Sequence, residues 1–492
     1  MRLLIVPPHA DFTLGWRAEE GFEVLDLARA FVERIGRPEG LRAEASRAVG
    51  EGEAGARRAL LLHSAAGLLE RSTEARTRLR ALGAALSGSS APDLSVRLRL
   101  DDLELAQGTT ERSADTLAAS VGSLPFEPEL AAALQACEGA EVLRLWLERD
   151  QQLPAALALA ARAPRGLALE LCGPFAQVHR QTLSRLAPFE RARWVDAAPR
   201  PGLLGLPGSR LDPALGWGEH TDAAGWCGAV SLSSLAAPEA LLGAGCRGAL
   251  VRFCAVGPVH AQAEDGQRLP VETLQSACAA LREAGVPVVG EWWVGAPGQS
   301  EAERSQTAAW LEGAAPFSAL AGVRQFHWAR ERAPASWRGG PVRWLPFPED
   351  RDLQRSRPFE AEGGLPHAEL PARIEALALR LSQRFRLAPG RLAQAIFSTE
   401  ASPSRQAHPA LDPDCAVVEL PVALSGATGP AFYAVNLRKG GTVQLDARIA
   451  PPLLALAGRR AVEGNPFERW PAAQREKLVA ALTAKGVLAE VN

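Results

Sequence analysis

The spacing of apolar positions changes repeatedly along this chain. Residues 2–6 (RLLIV) form a short apolar run closed by Pro7 and Pro8, the pattern of a buried parallel strand. Residues 22–35 carry apolar side chains at helical spacing. Residues 39–90, rich in Ala, Leu, Arg and Glu, predict helix until the SGSSA segment at 87–91 breaks the pattern. Residues 94–106 (LSVRLRLDDLELA) alternate and predict extended chain. A short helix is expected over 127–137.

A second block alternates strand and helix. Residues 142–147 (VLRLWL) read as a strand. Residues 154–162 read as a helix with Pro154 in its first turn, where a missing N–H costs nothing. Residues 167–171 (LALEL) read as a strand ended by Cys172, Gly173 and Pro174. The alternation continues from about Gly225. Helices are expected from Pro238 and Pro270, and strands over 249–254, 286–294 and 323–328. Gly295, Ala296, Pro297 and Gly298 make a sharp turn. Ser300 and Glu303 form a capping box for the helix that carries Trp310 and Leu311. Such alternation predicts a parallel sheet with helices packed on it.

The rest reads differently. Residues 333–371 are rich in Pro, Arg and Gly and read as a linker or lid, followed by a helix over 371–388. In the tail, 415–424 and 431–437 predict antiparallel strands, 449–456 and 471–484 helices, and 487–491 a last strand.

Composition narrows the function classes. The 492 residues are 47 % hydrophobic with net charge −2, which provides apolar material for several cores and no basic surface for nucleic acid. No run of about 18 apolar residues predicts a membrane span. The amino terminus lacks the h-region and cleavage pattern of a secretory signal. The seven cysteines are scattered and odd in number, which argues against a disulfide scaffold. A cytoplasmic location is the expectation.

Two segments carry a resemblance. LLGAGCRGALVRFCAVG (241–257) and AGVPVVGEWWVGAPGQSEAE (284–303) resemble, in order and spacing, the fourth and fifth strand–helix units of the radical S-adenosylmethionine (radical SAM) barrel. Upstream, LRLWLERDQQLPAALALAARAP with LALELCGPF resembles the second half of the cobalamin-binding domain of the cobalamin-dependent, peptide-modifying members. The likeness covers roughly 140–330. The tail is loosely similar to a winged helix that captures leader peptides along a strand edge. The resemblance implies an α/β fold. A cobalamin-binding-like Rossmann domain would span 1–215 with a helical insertion at about 39–130. A truncated half barrel would follow at 216–345, a linker and helix at 346–405, and a winged-helix-like α+β domain at 406–492.

The departures bear on activity. The family's [4Fe–4S] cluster takes three closely spaced cysteine thiolates, because its irons require soft ligands. No such triplet occurs here, and the first half of the barrel has no counterpart. The ribose-contacting Glu-Ser of the fourth strand falls on Cys254 and Ala255. The Asp-x-His-x-x-Gly cobalamin signature is absent. What the resemblance leaves as cofactor contacts are Gly295, Pro297 and Gly298 for S-adenosylmethionine, and Cys172 and Gly173 at the cobalamin-facing end of a strand. The same glycines also suit a plain strand-to-helix turn. Cys254 and His327, at expected carboxyl ends of strands, are the candidate catalytic residues; a core thiol and a structural histidine are the competing readings. Cys172, His179 and Cys227 match no metal spacing. Trp292 and Trp293 must point to opposite faces of their strand.

The expectation is therefore a relative without a cluster, a non-catalytic partner or binding subunit in ribosomal-peptide or other natural-product maturation; the alternative is an active radical SAM/cobalamin-type or other cluster-free enzyme using the half-barrel cleft. Its partners would be a precursor peptide or an active radical SAM enzyme.

Overall fold

The computed structural model describes residues 1–8, 21–72, 75–90, 93–99, 102–196, 226–263, 266–314, 316–326, 328–329, 342–346, 350–354, 356–382, 410–421, 424, 430–457, 467–468 and 470–489. Two compact units emerge. The first gathers residues within 1–28, 101–212 and 218–399, and the second residues within 29–100 and 400–492. Of the helical insertion expected at about 39–130, residues up to 100 thus group with the tail and those from 101 with the first unit.

In the first unit, five parallel strands make one sheet: β1 (Arg2–Val6), β2 (Glu23–Asp26), β3 (Val142–Trp146), β4 (Ala168–Cys172) and β5 (Arg193–Trp194). Their spatial order is β2-β1-β3-β4-β5, one of the two common doubly wound orders. The buried runs Leu3–Leu4–Ile5 and Leu143, Leu145, Leu169 and Leu171 explain why these strands occupy the middle. Helix Leu153–Arg162 is almost wholly buried, as its unbroken apolar sequence requires. Part of the helix expected over 22–35 is strand instead. Glu23–Asp26 pairs in parallel with Leu3–Val6 and the helix begins only at Leu27. Satisfying the outer edge of β1 outweighs the local helical spacing. A helix at Ser113–Val121 lies within the helical insertion expected at about 39–130.

A second parallel sheet in this unit comprises β6 (Trp226–Val230), β7 (Cys246–Phe253), β8 (Val288–Val294) and β9 (Ala319–Gln325), in the order β9-β8-β7-β6. Strand β9 starts and ends earlier than the expected 323–328. On one face, Val251, Phe253, Val288, Trp292, Leu320 and Val323 share a core with helices Val271–Glu283, Glu301–Ala314 and Leu370–Ser382. The other face carries Leu250, Val289, Ala319 and Ala321. The capping box forms as expected: Ser300 Oγ accepts from the Glu303 amide (3.2 Å), and the Ser300 amide donates to Glu303 Oε2 (2.7 Å). Within the supposed linker, Val342–Trp344 pairs with Phe359–Ala361, and its Ser356–Arg357 pairs with Trp328–Ala329 upstream of it, both antiparallel.

The second unit places helices Pro38–Ala48, Gly52–Arg71 and Ala75–Gly88 with an antiparallel sheet of β10 (Cys415–Leu420), β11 (Ala431–Asn436) and β12 (Gly441–Leu445). Helices Ala450–Ala457 and Ala472–Ala484 lie at their expected positions. Strand β12 was not foreseen, and of the expected last strand the described residues show a single bridge, Leu411 to Leu488. Polar bonds tie the helices to the sheet. Arg71 donates to the carbonyls of Pro413 (3.1 Å) and Cys415 (2.6 Å), and Asp414 accepts from Thr77 (3.0 Å) and Arg80 (2.6 Å). Among the described residues, no helix is long and apolar enough to cross a membrane.

Candidate functional site

The carboxyl end of a parallel strand array is where α/β sheets place their chemistry. At that end of the second sheet, Cys254 follows directly on β7 and is 1 % exposed. It packs in an aromatic cluster with Trp293, Phe326, Trp328 and Phe359, flanked by Trp344. Neighbouring rings stand 4.8–6.2 Å apart, from Trp328 and Phe359 to Trp293 and Phe326. Trp292 and Trp293 point to opposite faces, as the alternation of a strand requires: Trp292 joins the helix-covered core and Trp293 the aromatic cluster.

The Gly295–Gly298 turn and Cys254 come together through a residue the sequence reading passed over, Gln299. Its Nε2 donates to the Cys254 carbonyl (2.5 Å), and its Oε1 accepts from the Gly295 amide (2.7 Å). Trp292 Nε1 donates to the same Cys254 carbonyl (2.8 Å). Gly295 (φ 92°) and Gly298 (φ 75°) take left-handed backbone. A Cβ on Gly295 would lie 2.6 Å from Leu370 Cδ2. The open side of that glycine is therefore filled by the helix that starts at Leu370. Pro297 is buried and Gly298 exposed.

Cys172 and Gly173 belong to the other sheet, at the end of β4. The Cys172 thiol is 2 % exposed and contacts the Leu145 carbonyl at 3.6 Å. Gly173 (φ 100°) lies so close to β3 that a Cβ would stand 2.3 Å from the Leu147 carbonyl oxygen. His179 is buried with its ring 4.5 Å from that of Phe175. His327 lies outside the described residues, as does the Cys227 side chain.

An ionic group on β7, β8 and β9 also escaped the sequence reading. Glu291 is fully buried. Its Oε2 accepts from Arg252 Nε (3.1 Å) and its Oε1 from Arg324 Nε (2.5 Å). Arg252 stands over the Trp293 ring at 5.4 Å. A carboxylate taken from water costs several kcal/mol unless paired, roughly in the range known for buried ions; the two guanidiniums are what allow Glu291 to stay in place. The signal was present: three successive strands (ALVRF, VVGEWWV, GVRQ) each carry one charge in a small or apolar run. The first sheet repeats the device, with Glu170 on β4 between Arg144 on β3 (2.7 Å) and Arg193 on β5 (2.7 Å).

No protein-family model, curated protein or solved structure matches this chain.

The resemblance implies a [4Fe–4S] cluster, S-adenosylmethionine and cobalamin. A [4Fe–4S] cluster does not fit the described thiols. Cys172, Cys254 and Cys415 each lie in a different core, and Cys246 and Cys278 share a fourth with helices. Burial pushes the Cys246 thiol up to about 11 and the Cys278 and Cys415 thiols up to about 12. The described residues likewise hold no group of three His, Cys, Asp or Glu placed for a metal ion. The Cβ directions of Gly295 and Gly173 are taken by Leu370 and by the Leu147 backbone.

The raised thiols have a consequence for stability. Their ordinary value is 9.0. On raising the pH past 9 the unfolded chain ionises first, so stability falls from there until the folded values of about 11 and about 12 are passed. The urea midpoint is expected to decline between pH 9 and pH 11, and less steeply in Cys278→Ala. A midpoint with equal slope in both proteins contradicts this.

Proposed function

We infer that this chain is a non-catalytic relative of cobalamin-dependent radical SAM proteins of the peptide-modifying type. It serves as a binding or partner subunit in the maturation of a ribosomal peptide or another natural product. One observation carries the reading. The position that should present chemistry, Cys254 at the end of β7, is closed over by the chain's own Trp293, Phe326, Trp328 and Phe359, and its carbonyl is held by Trp292 and Gln299. Side chains committed in this way are not offered to a substrate.

The architecture supports the same reading. The β2-β1-β3-β4-β5 order suits a cobalamin-binding-like Rossmann domain. Four parallel strands with helices on one face suit a truncated half barrel. The tail, as a winged-helix-like domain, would hold an extended precursor peptide or dock on an active radical SAM enzyme.

The test is anaerobic reconstitution with iron and sulfide, followed by metal analysis and a cobalamin titration. The expected outcome is substoichiometric iron, no visible absorbance band, and no change in the cobalamin spectrum. Iron at about four per chain with the matching sulfide, the content of one [4Fe–4S] cluster, overturns the non-catalytic reading.

A further inference from the structure

We propose that the face of the second sheet opposite its helices binds a small oxyanion, a carboxylate or a phosphate, through Arg324 held by Glu291. Arg324 gives its Nε to Glu291, and among the described residues its two terminal nitrogens make no hydrogen bond to the protein. Its side chain is 44 % exposed, whereas the Glu291 carboxylate that orients it is 0 % exposed. The guanidinium is thus fixed along one edge and open along the other, the geometry that takes an oxyanion by two parallel hydrogen bonds.

The backbone places Arg324 there by a specific device. Gly290 pairs with Leu320, but Glu291 pairs with Gly322, so Ala321 is an extra residue in β9. Alternation continued from Leu320 without that bulge would send Arg324 to the helix-covered face. With it, Arg324 falls on the Glu291 face. Gly322, at φ 150°, supplies the conformation the bulge needs. Neutralising Glu291 requires one cation, and Arg252, aligned with it in register, already provides one. Arg252, Glu291 and Arg324 together carry a charge of +1, at the carboxyl half of a parallel array where ligands of α/β folds sit. The matching row in the first sheet provides the contrast: Arg193 is 79 % exposed and reaches its strand position without a register shift.

Calorimetric titration of the full chain with inorganic phosphate, and separately with acetate, at matched ionic strength tests the proposal. Expected is saturable binding at one site per chain. Arg324→Ala should weaken it about tenfold or more, the loss of charge-assisted hydrogen bonds, and Arg193→Ala should leave it unchanged. Arg324→Lys keeps a cation for Glu291 and guards against a folding defect; it should fold as the parent does and still bind more weakly. Saturation by phosphate alone identifies a phosphoryl ligand, and saturation by acetate a carboxylate. No saturable binding of either anion, or equal affinity in Arg324→Lys and the parent, overturns the proposal. The iron test of the preceding reading is independent of this outcome.

Discussion

Gly173→Ala is expected to destabilise the first unit by about 4 kcal/mol, combining left-handed backbone strain with overpacking. Gly173 has φ 100°, where an L side chain is strained. Its Cβ would also stand 2.3 Å from the Leu147 carbonyl oxygen and 2.9 Å from the Leu147 nitrogen. Those are backbone atoms of a chain segment that bonds back twice. The Leu147 amide donates to Cys172 (2.9 Å), and the Leu147 carbonyl accepts from Phe175 (3.1 Å). Neither strand end can yield without losing those bonds. Urea unfolding gives the value directly. Gly166→Ala is the control, because a Cβ there meets nothing within 4 Å, and should change stability little. Equal midpoints for the two variants would mean that Gly173 is free for another role, including a cofactor contact.

The second large effect belongs to Asp414→Ala, with an expected loss of about 4 kcal/mol from the second unit. Asp414 is 2 % exposed and accepts from Thr77 and Arg80, with Arg438 at 3.5 Å. Removing the carboxylate leaves the 1 % exposed Thr77 hydroxyl without this acceptor and takes one negative charge from beside Arg80, whereas Arg438 keeps Asp412 at 2.6 Å. Arg80 and Arg438 side chains are 17 % and 34 % exposed. Partial hydration of both keeps the loss from reaching the full cost of a stranded buried charge. Asp414→Asn retains an acceptor and a donor and should recover part of the loss. The variant should also loosen helices 52–71 and 75–88 with the sheet, since Arg71 and Thr77 reach the same segment. Hydrogen exchange reads this out: faster exchange in β10 accompanied by unchanged exchange in Ala75–Gly88 would contradict the view that they form one unit.

Much of the fold was legible because buried parallel strands declare themselves as apolar runs. RLLIV, VLRLW and VVGEWWV are strands within a residue or two of their expected limits. Local punctuation was equally readable, as with Ser300 and Glu303 or the opposed faces of Trp292 and Trp293. What failed depended on distant partners. Glu23–Asp26 became a strand because β1 lay beside it, and the pairing of Trp344 with Phe359 joins residues that the Pro- and Arg-rich composition read as linker. The candidate site was half legible. Cys254 and the Gly295 turn were singled out and do come together, but the residue that joins them, Gln299, has no distinctive local signal. The grouping of Arg252, Glu291 and Arg324 depends on a bulge, and a bulge shifts strand phase by one residue without altering the apolar pattern.

The central claim is that the carboxyl end of the second sheet is closed by the chain's own aromatic side chains. Native-state alkylation of Cys254, followed by mass spectrometry of the cleaved chain, tests it most directly. The account predicts that Cys254, 1 % exposed beneath Trp293, Phe326 and Phe359, stays unmodified in the folded protein and is labelled fully in urea. Labelling of Cys254 in the folded protein at the rate of an unfolded thiol would show an open, reactive strand end and would contradict the account.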